Sequence, residues 1–294
     1  MSKTVLITGT SSGFGNDIAR TLTGEGHRVF ASMRDLDGRH REVAEGLAAK
    51  SIETIELDVT DDRSVDAAFK NLLIKTGGKL DVLINNAGVA AGGLSETFTP
   101  EQVRSMFEVN VFGIHRVTRA ALPAMQAVGS GVVINIGSIL GRVTLPFFAL
   151  YGASKHAVEA MTEGYRYELS QFGIDVVLLQ PGPYPTKLYT AIQQPADAGR
   201  ARSYGDVAAL PQAFNNYLSG LFASEQAPDP HDVAVALAHV IKTAPGKRPS
   251  RVVVGLPFGA DLADAAIQPI QNELIESIGF GHLSKLNTTS SEVE

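Results

Sequence analysis

Short runs of apolar, largely β-branched residues recur along this chain, and amphipathic stretches separate one run from the next. Each run is nearly continuously apolar, which is typical of a strand buried on both faces of a sheet. Because strand and helix alternate six or seven times, the pattern predicts a parallel sheet with right-handed crossovers and helices on both faces. We therefore expect an α/β fold with a doubly wound, Rossmann-type sheet of about seven strands. The predicted strands are Val5–Thr8, Arg28–Ser32, Ile52–Leu57, Val82–Asn85, Val132–Ile136, Val176–Gln180 and Arg251–Val254.

The regular pattern weakens between residues 183 and 230, where prolines are mixed with tyrosines and phenylalanines. A long stretch of weak periodicity inside a compact domain is more often a lid or binding insertion than a plain loop. Helical periodicity resumes at Asp232–Lys242 and again at Leu262–Ile278. We expect one dinucleotide-binding catalytic domain over residues 1–255, with a substrate-loop insertion at about 183–230. A C-terminal helical tail over residues 256–294 is expected to complete the substrate side.

Composition excludes several classes of function. The chain has no cysteine, which removes disulfides, thiol nucleophiles and thiolate zinc sites, and its histidines show no metal-ligand spacing with acidic residues. Its net charge is −6 without a long basic run, which argues against nucleic acid or an anionic membrane surface as the main partner. No apolar run approaches the roughly 18 residues that a membrane span needs. We expect a cytoplasmic protein with no metal, no nucleic-acid partner and no membrane span.

A glycine-rich turn directly follows the first predicted strand. Segment 8–15 reads Thr-Gly-Thr-Ser-Ser-Gly-Phe-Gly, and helix-like sequence follows it. Glycines at such a turn let the backbone approach a phosphate, and the helix N-terminus offers free N–H groups and a positive dipole end to a pyrophosphate. The alternative is a merely tight strand-to-helix turn, but the context favours a dinucleotide site. The residues expected to bind the cofactor here are Gly9, Ser11, Ser12, Gly13, Phe14 and Gly15.

The end of the second predicted strand bears on the choice of nicotinamide cofactor. NAD is held there by an acidic side chain on the ribose 2′-hydroxyl, whereas NADP needs that acid absent and a cation present. Met33 stands where the acid would be, and Arg34 follows it. The two serines of the turn offer additional hydroxyl donors to a 2′-phosphate. Arg34 could instead be a surface residue paired with Asp35 or Asp37, but we expect NADP(H) to be favoured over NAD(H).

A tyrosine and a lysine lie four residues apart at Tyr151 and Lys155, which places both on one face of a helix. Ser138 lies thirteen residues before Tyr151, just after a predicted strand. A lone Tyr-x-x-x-Lys is common in helices, so the pair is informative only together with Ser138 and the glycine turn. With Asn-Asn-Ala-Gly at 85–88 and Asn110, these motifs resemble the short-chain dehydrogenase/reductase family over nearly the whole chain to about residue 255.

The resemblance implies an oxidoreductase that interconverts secondary alcohols and ketones. It implies that Tyr151 is the general acid/base, Lys155 its partner, Ser138 the hydroxyl that holds the substrate oxygen, and Asn110 a support for a proton-relay water. Asn110 could instead be a helix cap or a buried turn partner. Pro183 departs from the family's usual sequence in the loop that covers the nicotinamide, as does the proline two residues later. Further cofactor contacts implied by the family are Asp58 and Val59 at the adenine, Asn86, Ala87 and Gly88 at the ribose, and Pro181, Gly182 and Thr186 at the nicotinamide.

Elementary chemistry supports these roles independently. Hydride transfer to a ketone leaves an alkoxide that must be protonated, and a free tyrosine titrates near about 10. A cation close to Tyr151, such as Lys155 or an oxidised nicotinamide, favours the phenolate and brings the group nearer to the operating pH. Ser138 would donate a hydrogen bond to the developing oxyanion.

The substrate is expected to be a small hydrophobic alcohol or ketone, with polycyclic and aromatic compounds among the candidates. The aromatic insertion and four apolar residues between Ser138 and Tyr151 indicate an apolar pocket, although these aromatics could instead form only the core of a lid. Segments 34–36 and 154–159 are similar to the branch that includes 17β-hydroxysteroid and retinol dehydrogenases. In the family, helices near 100–126 and 153–169 form the subunit interface, so a homodimer or homotetramer is expected. The four apolar residues are Leu140, Val143, Phe147 and Phe148.

Two other functions compete with this interpretation. A catalytically silent NADP-binding sensor or scaffold is the first, although such proteins usually lose the tyrosine or the lysine. A sugar-nucleotide epimerase or dehydratase is the second, but those relatives carry a larger C-terminal substrate domain and a Gly-x-x-Gly-x-x-Gly turn.

Overall fold

The computed structural model describes residues 2–288, so Met1 and residues 289–294 lie outside the described chain. All seven predicted strands are present, and their ends differ from the predicted ones by at most two residues. The strands form one parallel sheet in the order β3-β2-β1-β4-β5-β6-β7, which confirms the predicted doubly wound fold. They are β1 (Thr4–Thr8), β2 (Arg28–Met33), β3 (Glu53–Glu56), β4 (Val82–Asn85), β5 (Gly131–Ile136), β6 (Ile174–Pro181) and β7 (Arg251–Val254).

The direction of winding reverses between β1 and β4, because the chain runs outward to β3 and then returns to the other side of β1. In open α/β sheets, ligands bind at the carboxyl ends of the strands beside such a reversal. Strands β4, β5 and β6 are buried along their whole length, as their continuous apolarity predicts.

Helices cover both faces of the sheet and form a hydrophobic core on each. One core contains Ile18 of α1 and Leu237 of α10, and the other contains Leu72 of α3 and Val117 of α5. The helices are α1 (Gly13–Gly24), α2 (Arg41–Ala48), α3 (Asp62–Thr76), α4 (Pro100–Phe107), α5 (Gly113–Val128), α6 (Ala149–Ser170), α7 (Lys187–Thr190), α8 (Ala198–Ala201), α9 (Leu210–Phe222), α10 (His231–Lys242) and α11 (Ala260–Ser277).

Helices α4 and α5 are joined by a single π-helical turn, Glu108–Phe112, rather than by a loop. Such turns widen a helix locally and are frequent at functional sites. Here the turn carries Asn110, which is fully buried and directed toward the end of β4.

The insertion over residues 183–230 is more regular than its sequence predicts. It contains α7, α8, the 3-10 helix Arg202–Ala209 and the 13-residue helix α9. In α9 only Leu218 is buried. Its sequence nevertheless repeats apolar residues at helical spacing, as at Phe214, Leu218 and Leu221, so the expectation of weak periodicity is wrong for this segment. Glu96 attaches the insertion to the rest of the fold, since it pairs with Arg200 at 3.0 Å and accepts a hydrogen bond from Tyr204 at 2.8 Å.

The C-terminal helix α11 begins two residues before the predicted start. Asp264 holds it against the sheet through an ion pair with Arg142 at 2.7 Å and a longer one with Arg251 at 3.6 Å. The division into a catalytic domain and a tail that completes the substrate side stays a prediction, and residues 289–294 of that tail lie outside the described chain. Between residues 2 and 288, no helix combines the length and apolarity that crossing a membrane requires.

Candidate active site

A cavity of about 470 Å³ runs along the carboxyl ends of the strands, from the glycine-rich turn to the insertion. Nearly all the residues singled out in the sequence line it. Among the predicted catalytic and cofactor-binding residues, the exceptions are Gly15 and Asn110.

The three glycines of the turn have different structural roles. Gly9 has a φ of +71°, and a side chain there would place its Cβ only 2.7 Å from the Cα of Ala87. At Gly15, a Cβ would lie 2.5 Å from the carbonyl oxygen of Gly9, so this glycine lets α1 pack against the turn instead of facing a cofactor. At Gly13, φ is +56° and a Cβ would enter open space, 4.0 Å from the side chain of Thr186. Gly13 is therefore the position where the backbone opens onto the cavity.

The turn presents the N-terminus of α1 to the cavity. Ser12 is the N-cap residue, and within the described chain its side chain makes no capping hydrogen bond. The first N–H groups of α1 are therefore free of a side-chain cap, while the backbone at Ser11, Ser12, Gly13 and Phe14 lines the cavity. This open cradle fits a cofactor pyrophosphate, as the sequence predicts.

The far end of the cavity is lined by Arg34, Asp58 and Val59, as the sequence predicts for the adenosine part of a cofactor. The half-exposed side chain of Arg34 lies 3.5 Å from Asp58, rather than pairing with Asp35 or Asp37. Although burial opposes it, hydrogen bonds from Thr60 and the charge of Arg34 lower the pKa of the Asp58 carboxyl.

His40 also lines this end of the cavity, and sequence analysis missed it. Its Nδ1 lies 2.6 Å from the backbone carbonyl oxygen of Arg34, which holds the imidazole against the end of β2. No motif signals this residue, because it reaches the cavity from just before α2, six residues after Arg34.

Asn86, Ala87 and Gly88 line the middle of the cavity. The side chain of Asn86 donates to the carbonyl oxygens of Thr8 at 2.9 Å and Gly9 at 3.0 Å, and so fastens the end of β4 to the glycine turn. Its side-chain amide nitrogen is thus engaged by backbone carbonyls of the protein. Gly88 is the neighbour of the catalytic groups, since a Cβ there would lie 3.9 Å from Nζ of Lys155.

One part of the cavity wall is formed by Ser138, Tyr151 and Lys155. Helix α6 carries Tyr151 and Lys155 one turn apart, and Ser138 follows the end of β5. Nζ of Lys155 donates a hydrogen bond to the carbonyl oxygen of Ile136 at 2.9 Å and lies 5.8 Å from the centre of the Tyr151 ring. The side chain of Ser138 lies near the phenol of Tyr151 and lowers the pKa of that phenol, an effect smaller than that of burial.

Burial dominates the titration of this group. It lowers the pKa of Lys155 to about 8 and raises the pKa of Tyr151 to about 12, against the smaller lowering effect of Ser138 on the tyrosine. We expected Lys155 to lower the pKa of Tyr151. The loss of water around the buried phenol raises that pKa instead and is the dominant effect.

The side-chain amide of Asn110 forms hydrogen bonds with other groups of the protein. Its Oδ1 accepts from the N–H of Val89 at 2.9 Å, while its Nδ2 donates to the carbonyl oxygen of Val89 at 2.9 Å and to Oγ of Ser154 at 3.0 Å. The side chain thus joins the π-helical turn to the end of β4 and to α6, beside Lys155. This matches the buried-partner alternative, and the support of a relay water stays a prediction.

The family model for short chain dehydrogenases matches residues 3–197. This chain belongs to the short-chain dehydrogenase/reductase family. It is accordingly an NAD(P)-dependent oxidoreductase that acts on CH–OH and C=O groups.

Several relatives of this short-chain dehydrogenase/reductase are similar over most of their length. The oxidoreductase YusZ of Bacillus subtilis is 33% identical over 79% of this chain and 82% of its own. Human 17-beta-hydroxysteroid dehydrogenase type 1 is 41% identical over 63% of this chain and 58% of its own. A short-chain dehydrogenase from Streptomyces avermitilis has a crystal structure with a TM-score of 0.76 and 32% identity, covering 96% of this chain and 98% of that one. Other similar solved structures contain NADP, NADPH or NADH.

The substrate end of the dehydrogenase is mainly apolar. Of the residues expected between Ser138 and Tyr151, Leu140 and Phe148 line the cavity, whereas Val143 and Phe147 pack in the cluster behind it, which corrects the prediction for those two. The other apolar side chains of this wall are Ala90, Leu145, Leu188, Ala191, Phe214 and Leu218.

The aromatic residues of the insertion divide into cavity and support groups. Tyr189 and Phe214 line the cavity, whereas Phe222 packs against Tyr189 with ring centres 5.1 Å apart. Tyr184 lines the cavity but is fully buried and packs edge-on against Phe14 at 5.5 Å, so it joins the insertion to the glycine turn. Part of the aromatic insertion is therefore pocket wall and part is lid core.

Proposed function

We propose that this enzyme uses NADP(H) in preference to NAD(H) to interconvert a hydrophobic secondary alcohol and the corresponding ketone. The observation that carries the proposal is the convergence of Ser138, Tyr151 and Lys155 between the glycine-turn cradle and an apolar pocket. NADP- and NADPH-bound members among the similar structures support the cofactor class.

The cofactor preference is argued from the charges at the end of β2. The strand ends at Met33, which is buried and carries no carboxylate. The nearby carboxylate of Glu56 accepts hydrogen bonds from the N–H groups of Asp35 at 2.6 Å and Leu36 at 2.8 Å, so both of its oxygens already have backbone partners. Arg34, by contrast, directs a cation into the cavity, where a 2′-phosphate would accept hydrogen bonds from it.

The groups at the centre of the site divide the chemistry of ketone reduction. When bound, the reduced cofactor supplies a hydride to the carbonyl carbon. Ser138 and Tyr151 hold the carbonyl oxygen, and Tyr151 gives its phenolic proton to that oxygen as the alcohol forms. Burial raises the pKa of Tyr151 to about 12, so the phenol carries its proton at neutral pH, as an acid for ketone reduction must. The phenolate that remains is stabilised by the ammonium of Lys155.

A catalytically silent sensor is the alternative on the same fold. The presence of Ser138, Tyr151 and Lys155 together at the wall of one cavity favours catalysis over that role. We also propose that the enzyme is a homodimer or homotetramer, because the exposed side chains of Phe112 and Val128 lie on or beside α5, near helices that form the interface in the family. The location that we propose is the cytoplasm.

The proposed function is tested by fluorescence titration of the purified enzyme with NADPH and NADH, followed by turnover on steroid, aryl and aliphatic ketones. We expect NADPH to bind at least about tenfold more tightly, which corresponds to about 1.4 kcal/mol, and at least one hydrophobic ketone to be reduced. A tenfold preference for NADH would refute the cofactor assignment. Tight NADPH binding without turnover of any ketone would instead favour the silent sensor.

A further inference from the structure

Tyr189 is a phenol of the insertion that the mechanism above does not use. It lies on the short helix α7 and lines the cavity next to the catalytic group. Its ring is fixed by an edge-on contact with Phe222 of α9, at an interplanar angle of 68°. The ring is therefore held in place by packing at the wall of the cavity.

The hydroxyl of Tyr189 has no hydrogen-bond partner among residues 2–288. Two other tyrosines of the insertion do have a partner, since the hydroxyl of Tyr184 donates to Asp232 and that of Tyr204 donates to Glu96. Tyr189 is only partly buried and its hydroxyl is not among the fully buried unpaired polar atoms, so this unused donor is accessible. An unused donor at the wall of a cavity is thus a candidate for contact with a ligand.

The surroundings of Tyr189 show what kind of ligand group it can receive. Burial raises the pKa of this phenol well above its usual range, and the neighbouring Tyr151 acts in the same direction. Tyr189 is consequently protonated at neutral pH and available as a donor close to Tyr151. The side chains that share this part of the cavity, such as Leu188, Phe214 and Leu218, offer no acceptor.

We infer that Tyr189 donates a hydrogen bond to a second oxygen of the substrate, close to the carbonyl held by Ser138 and Tyr151. The inference rests on the proposed function, because it takes the reacting carbonyl to be at that pair of hydroxyls. It assigns the enzyme to ketones that carry a hydrogen-bond acceptor beside the carbonyl on an otherwise apolar skeleton. Tyr189 is then a specificity-determining residue, since a site with an unpaired donor discriminates against substrates that lack the acceptor.

Two ketones of matched shape test this role. Pentyl propyl ketone is wholly aliphatic, and methoxymethyl pentyl ketone differs from it only by an ether oxygen in place of one methylene group. The variant Tyr189→Phe removes the hydroxyl but keeps the ring against Phe222. The control is Tyr217→Phe, which removes the hydroxyl of an exposed phenol on α9.

The measured quantity is the ratio of kcat/KM for the methoxymethyl ketone to that for the aliphatic ketone, with NADPH as reductant. Because the ether oxygen changes the intrinsic reactivity of the carbonyl, only the change of this ratio between enzymes is informative. We expect Tyr189→Phe to lower the ratio about tenfold. Tyr217→Phe should leave the ratio unchanged.

A binding measurement separates recognition from chemistry. With oxidised cofactor bound, neither ketone can be reduced, so calorimetry gives a dissociation constant for each. Tyr189→Phe should weaken only the methoxymethyl ketone. An equal loss of affinity for both ketones, or no change in affinity for either, would refute the role of Tyr189 while leaving the proposed function intact. If the parent enzyme reduced neither these nor any other ketone, the proposed function would fail and this inference with it.

Discussion

Nζ of Lys155 lies 5.8 Å from the ring centre of Tyr151, held there by a 2.9 Å hydrogen bond to the carbonyl oxygen of Ile136. The bond ties the catalytic helix α6 to the end of β5, immediately before Ser138. One lysine thus fixes the relative position of the two elements that carry the reacting hydroxyls. The arrangement requires an ammonium in a site from which water is largely excluded, and burial lowers its pKa to about 8.

The variant Lys155→Met should be more stable to unfolding than the parent protein. Its catalytic rate should be lower than that of the parent. At neutral pH the buried ammonium is less favourable than the same group in the unfolded chain, so its removal should raise the free energy of unfolding by about 1–3 kcal/mol. Urea unfolding measures this change. A large loss of stability would show that the hydrogen bond to Ile136 outweighs the cost of burying the charge.

The same lysine gives a pH dependence of stability. The pKa of Lys155 is about 8 in the folded protein, against 10.5 for an ordinary lysine such as that of the unfolded chain. Between these two pH values the unfolded chain binds more protons than the folded protein, so the free energy of unfolding should rise with pH across that window. Urea titrations of the parent and Lys155→Met across the window test the prediction. The rise should be present in the parent and absent in the variant.

Arg34 should set the cofactor preference. Arg34→Ala is expected to weaken NADPH binding by about 10- to 100-fold and to leave NADH within about twofold, because only NADPH carries the 2′-phosphate. Arg39→Ala is a matched control, since Arg39 is an exposed arginine of the same loop that lies 4.0 Å from Asp35. Equal losses for both cofactors in Arg34→Ala would contradict the assignment.

Gly13 should be required for binding rather than for folding. Gly13→Ala places a methyl group in the cavity at a φ of +56°, so NADPH affinity should fall by more than about tenfold with roughly 1 kcal/mol of lost stability. Gly77→Ala introduces comparable strain at a φ of +66° after α3, with nothing near its Cβ. This control should lose similar stability and keep full NADPH affinity.

Asn110 should matter mainly as a structural link. Asn110→Ala removes three buried hydrogen bonds to Val89 and Ser154, so we expect the free energy of unfolding to fall by about 2–4 kcal/mol together with activity. Chemical denaturation checks the first effect and turnover the second. A variant as stable as the parent but inactive would indicate a direct catalytic role of the side chain.

Much of the fold and of the site could be predicted from the sequence because the relevant signals are local. Strand β4 was predicted to the residue, since its continuous apolarity reflects burial on both faces. The catalytic pair Tyr151 and Lys155 is separated by one helical turn, so its spacing alone places both side chains together. Gly13 was identified from the turn in which it lies.

The remaining features depend on contacts between distant segments. The sequence predicts Val143 in the pocket, although it packs in the cluster behind the wall. Helix α9 is different, because its apolar residues do recur at helical spacing and the helix could have been predicted from them. His40 and Tyr189 reach the cavity from a helix start and from the insertion, which no spacing rule connects to the motifs. The dominance of burial over charge at Tyr151 is likewise a property of the assembled site.

The rate of NADPH oxidation by Tyr151→Phe, with a ketone that the parent enzyme reduces, tests the central role of Tyr151 most directly. The substitution keeps the ring but removes the proton donor, so we expect kcat/KM to fall by about a thousandfold while the dissociation constant for NADPH stays within about twofold of the parent. A Tyr151→Phe enzyme that retained the turnover of the parent would contradict the mechanism.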